Sequence, residues 1–214
     1  QVDILFVSQS EGLGEEILTV KDNTLIDIWG VNFPTAYTTI GGVSEPTWSK
    51  DGRKFAFSSW SHATVPFNSN IYILNMDSIN NSISSVTYSR YGFDTTLHTF
   101  VGTVNLRPDW SLTTNKMVFI SNHDSVFNVH ITNISASLTG DTIFPTRLTD
   151  APASDNINYF CYPSFSPDGS KILYTSAKSG HEEIWVMNAN GSVKTQLTHM
   201  NASIARRPRY SPTA

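Results

Sequence analysis

Four times along the chain a proline is followed two residues later by an aromatic: Pro46 by Trp48, Pro108 by Trp110, Pro163 by Phe165 and Pro208 by Tyr210. The intervals between these prolines are 62, 55 and 45 residues. The fullest copy, residues 161–176, reads as a short strand over 163–166, a tight turn at Pro167-Asp168-Gly169 and a second strand over 171–176. The turn has its own mechanism: proline fixes φ, Asp bonds back to nearby backbone, and Gly accepts a positive φ. The second strand is rich in β-branched and aromatic residues. A unit of this kind, repeated, decides the fold before any single residue decides a function.

Each copy predicts four short strands. The copy at Pro46 has both opening strands and an Asp51-Gly52 turn, then strands over 70–76 and 85–88. The copy at Pro108 has a degenerate turn over 112–115, then strands over 116–121, 126–133 and 146–149. The copy at Pro163 continues with strands over 183–188 and 195–198, joined at Asn190-Gly191. At the start of the chain, residues 3–8 match the second strand of the unit, and 16–20 the third. Residues 25–32 and 38–40 compete for the fourth. The copy at Pro208 is a first strand with no second strand after it. No stretch shows a helical 3.6-residue period.

Four short strands per unit without helices predict an all-β fold, a β-propeller of four-stranded blades. One blade shared by residues 207–214 and 1–42 would close the ring, leaving blades at 43–104, 105–159 and 160–206. The whole chain is then a single propeller domain of four blades, with 208–211 beside 4–8. The alternative is an arc of a six- or seven-bladed propeller.

Composition narrows the partners. Only 15% of the 214 residues are charged, the net charge is −4, and no basic block is present, which argues against nucleic acid. No apolar run approaches the roughly 20 residues of a membrane span. The chain begins with Gln1, pointing to processing or to a piece of something longer. The single Cys161 excludes an internal disulfide and reads as a buried thiol.

The pattern Pro-x-aromatic-Ser-Pro-Asp-Gly, a strand ending in Ser, an Ile-aromatic third strand and a Leu-Thr ending resembles the TolB-type β-propeller repeat. Residues 163–198 match it almost throughout, including Ile184-Trp185-Val186-Met187-Asn188 and Gln196-Leu197-Thr198. The resemblance implies a periplasmic or secreted protein and, among the uses of such propellers, a protein-docking platform, a domain attached to a serine peptidase or a sugar-acid lyase. Familiar members have six or seven blades, a departure from four. A repeat signature speaks for fold and hardly for activity.

The repeated residues Pro46, Trp48, Pro108, Trp110, Pro163, Phe165, Pro208 and Tyr210 read as structure, as do Asp168 and Gly169 of the turn. The candidates for binding lie in loops on one propeller face. His62, His123 and His181 fall between second and third strands, and His98 and His199 between blades, with Asp124 and Glu182 nearby. No pair has local metal-ligand spacing. Asn80, Asn133, Asn190 and Asn201 head Asn-x-Ser sequons. No catalytic residue is assigned. The expectation is a non-enzymatic module that binds a protein partner or copies of itself, without a cofactor. The alternative is a carbohydrate-binding or metal-dependent lyase-like propeller using a divalent metal on the loop face.

Overall fold

The computed structural model describes residues 4–10, 14–21, 24–27, 40–61, 68–75, 88–91, 104–134, 145–151, 154–200 and 203–211. They form fifteen strands in antiparallel sheets, and no helix occurs among them. The chain divides into two compact units, Gln1–Arg107 and Pro108–Ala214. In the first, β1 (Ile4–Ser10), β2 (Gly14–Lys21) and β3 (Thr24–Asp27) make a three-stranded sheet. A four-stranded sheet follows: β4 (Ile40–Trp48), β5 (Lys54–Ser61), β6 (Asn68–Asn75) and β7 (Tyr88–Tyr91). The strand β8 (Asn105–Trp110) carries the chain into the second unit and pairs with β9 (Lys116–Ser121), then β10 (Asn128–Asn133) and β11 (Thr146–Arg147). The last sheet is β12 (Ser164–Phe165), β13 (Lys171–Ser176), β14 (Glu183–Asn188) and β15 (Thr195–Gln196).

Each sheet is an up-and-down meander, as expected from the repeat. The competition for the fourth strand of the first sheet is resolved by β3, which folds back on β2 through Lys21↔Thr24. Ile40 instead opens β4. The repeat keeps its register: Trp48 faces Phe55 across β4 and β5 as Phe165 faces Ile172 across β12 and β13. Lysine and asparagine pair across the second and third strands in three sheets, at Lys54↔Asn75, Lys116↔Asn133 and Lys171↔Asn188.

The turns between first and second strands rest on one serine hydroxyl each. Ser166 Oγ donates to Asp168 Oδ1 at 2.5 Å and accepts from the Lys171 amide at 2.9 Å. The same Asp168 oxygen accepts the Ser170 amide at 3.0 Å, and Gly169 sits at φ 73°. Ser49, Asp51 and Gly52 repeat this arrangement, with Ser49 Oγ 2.6 Å from Asp51 and 3.0 Å from the Lys54 amide. In the degenerate copy Ser111 keeps its role, accepting the Thr114 amide at 3.1 Å, with Thr113 Oγ1 3.3 Å away where the carboxylate would be. Adjacent turns also pack on each other. A Cβ on Gly169 would lie 2.5 Å from Thr113 Oγ1 and 2.8 Å from Ser111 Oγ, whereas one on Gly52 would meet nothing within 4 Å.

The entry to the first strand is equally regular. Glu45, Arg107 and Arg207, each directly before a repeated proline, hold φ of 58°, 59° and 55°. Residues before proline normally extend, and a positive φ costs a non-glycine residue about 1 kcal/mol or more. At Arg107 the bend aims the amide at Glu45 Oε2 (2.9 Å) and Ser58 Oγ (3.0 Å), while the guanidinium Nε lies 3.0 Å from Glu45 Oε1. Desolvation pushes the Glu45 carboxyl above its ordinary range, outweighing the pull of the Arg107 charge.

The second strands are buried on both faces. All five residues after the first in β9 and in β13 are buried, so their runs are continuously apolar rather than alternating. Phe55 and Phe57 in β5, Phe119 and Ile120 in β9, and Ile172 and Tyr174 in β13 are each at most 2% exposed. Of the repeated aromatics, Trp110 and Phe165 are buried, and Trp48 is half-buried with its ring edge-on to Phe55 at 5.9 Å. Tyr210 is half-buried, and no strand occurs in residues 204–211. Cys161 is fully buried.

Two predictions follow from the turns. Gly52→Ala should cost roughly 1 kcal/mol for its positive φ, and Gly169→Ala about 2 kcal/mol or more because the methyl also meets the neighbouring turn. Urea unfolding of both variants measures the difference. The hydroxyl and amide donors around Asp168 hold its carboxyl down to about 2. A depressed folded value stabilises above the ordinary carboxylate range and is lost as pH falls through about 2. Asp168→Ala should therefore be less stable than the parent at pH 7, and the gap should close between pH 4 and 2.

Candidate functional site

In the second unit the loops opposite the serine turns converge. They are residues 122–127 (between β9 and β10), 177–182 (between β13 and β14), 148–151 and 154–163 (between β11 and β12), and 197–200 and 203–206 after β15. Asn156 Nδ2 donates to Ala177 O at 3.3 Å, and Asn156 O accepts the Ala177 amide at 3.1 Å. Ser176 Oγ donates to the Asp155 carbonyl. Glu182 ties three segments together, because its carboxylate accepts from Asn158 Nδ2 at 2.6 Å and from Arg206 Nε, while its carbonyl accepts the Ala205 amide at 2.8 Å. These donors pull the Glu182 carboxyl below its ordinary range, with the Arg206 bond the largest cause.

The ends of the fourth strands are pinned by a network that recurs in both sheets of this unit. Thr149 Oγ1 donates to Asn128 Oδ1 at 2.9 Å and accepts the Val129 amide at 2.8 Å, and the Ala151 amide reaches the same Asn128 oxygen at 2.8 Å. Thr198, Glu183, Ile184 and Met200 repeat those roles. This is the physical content of the Leu-Thr ending, since the threonine closes the third strand onto the loop that follows the fourth.

Aromatic side chains and arginines remain at the surface of this loop face. Phe127 and Tyr159 meet edge-on at 5.9 Å, and Tyr159 and Phe160 at 5.7 Å. The Arg206 guanidinium lies 3.9 Å over the Phe160 ring and Arg207 lies 4.8 Å over Tyr162. Phe160 is 43% exposed, Tyr159 39%, Met200 41% and Ile204 54%.

Of the six histidines, His123, His130, His181 and His199 are among the described residues. His123 is half-buried, with Nε2 3.9 Å from Asp124 Oδ1, and Asp124 binds Arg147 Nη1 at 3.3 Å. His181 and His199 are exposed. His62 and His98 lie outside the described residues, as do the sequon residues Asn80 and Asn201. Among the described residues no three His, Cys, Asp or Glu side chains are grouped to hold a metal. His130 in β10 is buried and stacked on Phe119 at 5.8 Å, and burial lowers its pKa. Asn190 Oδ1 accepts from the Ser192 amide and hydroxyl, at 3.0 and 2.7 Å, within its own hairpin turn.

Of the sequence candidates, Glu182 is central, but as the residue that orders the face. Sequence reasoning assigned no binding role to Tyr159, Phe160 and Tyr162. Their clustering just before Pro163, opposite Arg206 and Arg207 in the corresponding place before Pro208, was the available signal. Removing the Glu182 carboxylate should release the segment after β15. In Glu182→Ala, tryptic cleavage after Arg206 should run about tenfold faster than in the parent, the effect of losing roughly one charge-assisted hydrogen bond.

No family model matches the chain, and no curated protein matches it in sequence. Solved structures do resemble it. TolB from Acinetobacter baumannii superposes over 99% of this chain with a TM-score of 0.67 at 16% identity. A putative TolB from Agrobacterium tumefaciens superposes over 100% with a TM-score of 0.61 at 19% identity. A chain from the nidogen/laminin complex superposes over 95% with a TM-score of 0.56 at 9% identity. The chain spans 45%, 67% and 64% of those three chains. Among the described residues no helix is long and apolar enough to cross a membrane. At these identities the likeness speaks for architecture alone, an all-β chain of antiparallel sheets similar to those of the TolB structures.

Proposed function

We propose that the chain is a non-catalytic propeller of the periplasm or the extracellular space whose loop face binds another protein. The observation that carries this reading is the exposed Tyr159–Phe160 pair beside arginines stacked on aromatic rings. Exposed aromatic and arginine side chains on an ordered scaffold are the composition of binding hot spots. The TolB likeness and the nidogen/laminin complex, by its name an assembly of proteins, support the same reading. Affinity capture from an envelope or secreted fraction, followed by calorimetry with the purified captured protein, tests it. Saturable binding of one protein is expected. Absence of any such partner, together with metal-dependent turnover of uronic-acid oligosaccharides, would replace it with a lyase.

Ring closure belongs to this reading. Among the described residues the β1–β3 sheet has one strand fewer than the other three sheets, and its strands match the second to fourth of the repeat. We propose that residues 207–214 supply the first strand. The register of β12 on β13 then transfers to Arg209↔Leu5 and Tyr210↔Ile4. In the Leu5→Cys/Arg209→Cys protein, oxidation should give a disulfide within one chain. A disulfide between chains would make this edge an assembly contact by strand addition. No disulfide at all would favour an arc of a larger ring.

A further inference from the structure

The charges of the loop face are unevenly satisfied. Its described acids are all engaged: Asp124 and Asp150 by Arg147, Asp155 by Lys194, Glu182 by Arg206, and Glu183 by Thr198 and the Met200 amide. Two exposed cations instead meet aromatic rings. Arg207 lies over Tyr162, and Lys178 lies 5.5 Å over Trp185. Neither pairs with a carboxylate among the described residues. A guanidinium stacked on a ring keeps its in-plane N–H donors free for a planar anion, and the ring holds it in place.

Arg207 is also held in a left-handed backbone conformation next to Pro208. The same conformation at Arg107 serves a bond network with Glu45 and Ser58, whereas the exposed Arg207 side chain meets the Tyr162 ring among the described residues. Exposed apolar side chains precede both partners in the chain: Tyr159 and Phe160 before Tyr162, and Met200 and Ile204 before Arg207.

We infer that this surface docks an acidic, apolar segment of a protein partner, with Arg207 taking a carboxylate and Phe160 an apolar side chain. The inference rests on the protein-binding reading and gives that partner its chemistry. Charge complementarity selects the acid, on a chain whose own net charge is −4 and which would otherwise repel it. The aliphatic side chains of Met200 and Ile204 favour a peptide over an acidic oligosaccharide, which offers no apolar side chains to cover them.

The test is selection of a phage-displayed random dodecapeptide library on the full chain, with the enriched peptides then measured against Arg207→Glu, Phe160→Ala and a remote Leu112→Ala control. Thermal melts confirm folding of each variant, and both site residues are surface-exposed. The expected peptides combine Asp or Glu with Leu, Ile or Phe. Their affinity should fall tenfold or more with each site variant, weaken with salt for the parent, and be unchanged by Leu112→Ala. Enriched peptides that lack acids, or bind both variants undiminished, would overturn this surface while leaving protein binding standing. No enriched peptide, with oligogalacturonate binding lost in Arg207→Glu, would overturn both by making the ligand an acidic carbohydrate.

Discussion

A serine hydroxyl at the end of each resolved inner strand is the contact on which the blades depend. Ser49, Ser111 and Ser166 each accept a backbone amide from the turn or the start of the second strand. Where an aspartate follows two residues later, its carboxylate accepts a hydrogen bond from the serine hydroxyl and another from a turn amide. One side chain thus fixes both the reversal of the chain and the register of the two strands that flank it. The register matters because a slip of one residue would exchange the side chains that the two buried faces of the second strand receive. With both faces of β9 and β13 buried, that error has no solvent-exposed refuge.

Once that end of each sheet is fixed, the opposite end is free to differ. The serine turns are short and nearly interchangeable, whereas the loops across the sheet vary in length and content. They are nonetheless ordered in the second unit, by Thr149 and Thr198 closing strands onto loops and by Glu182 joining three segments. The aromatic rings and arginines at the surface therefore sit on a braced platform. An ordered platform loses little entropy when a partner docks, which is what makes an exposed aromatic patch an effective anchor.

The architecture was legible because it is repeated. A proline, an aromatic and an Asp-Gly turn recur with a shared mechanism, and the second strands carry their β-branched runs openly. Strand ends were less legible. β11, β12 and β15 are two residues long, shorter than the runs at 146–149, 163–166 and 195–198; past β11 and β15 the Thr149 and Thr198 hydroxyls, not backbone carbonyls, accept the Val129 and Ile184 amides. The choice of Thr24–Asp27 over residues 38–40 followed from a tight reversal at Lys21 that carries no glycine or proline to announce it. The functional face was the least legible. Histidines drew attention by type; His181 and His199 are exposed, and His130 is a packed core residue. The stacking of Arg206 on Phe160 joins residues 46 positions apart in sequence and has no local spacing to betray it.

In the second unit each blade is a rigid pair of middle strands, with its first turn locked by serine and its two-residue outer strand held by two paired positions and a threonine hydroxyl. Amide hydrogen exchange resolved by residue measures this directly. The account predicts the slowest exchange in β9, β10, β13 and β14, intermediate rates for the Lys171 amide held by Ser166, and the fastest strand exchange in β11 and β15. Uniform protection across all four strands of a sheet, or faster exchange in β9 and β13 than in β11 and β15, would contradict it.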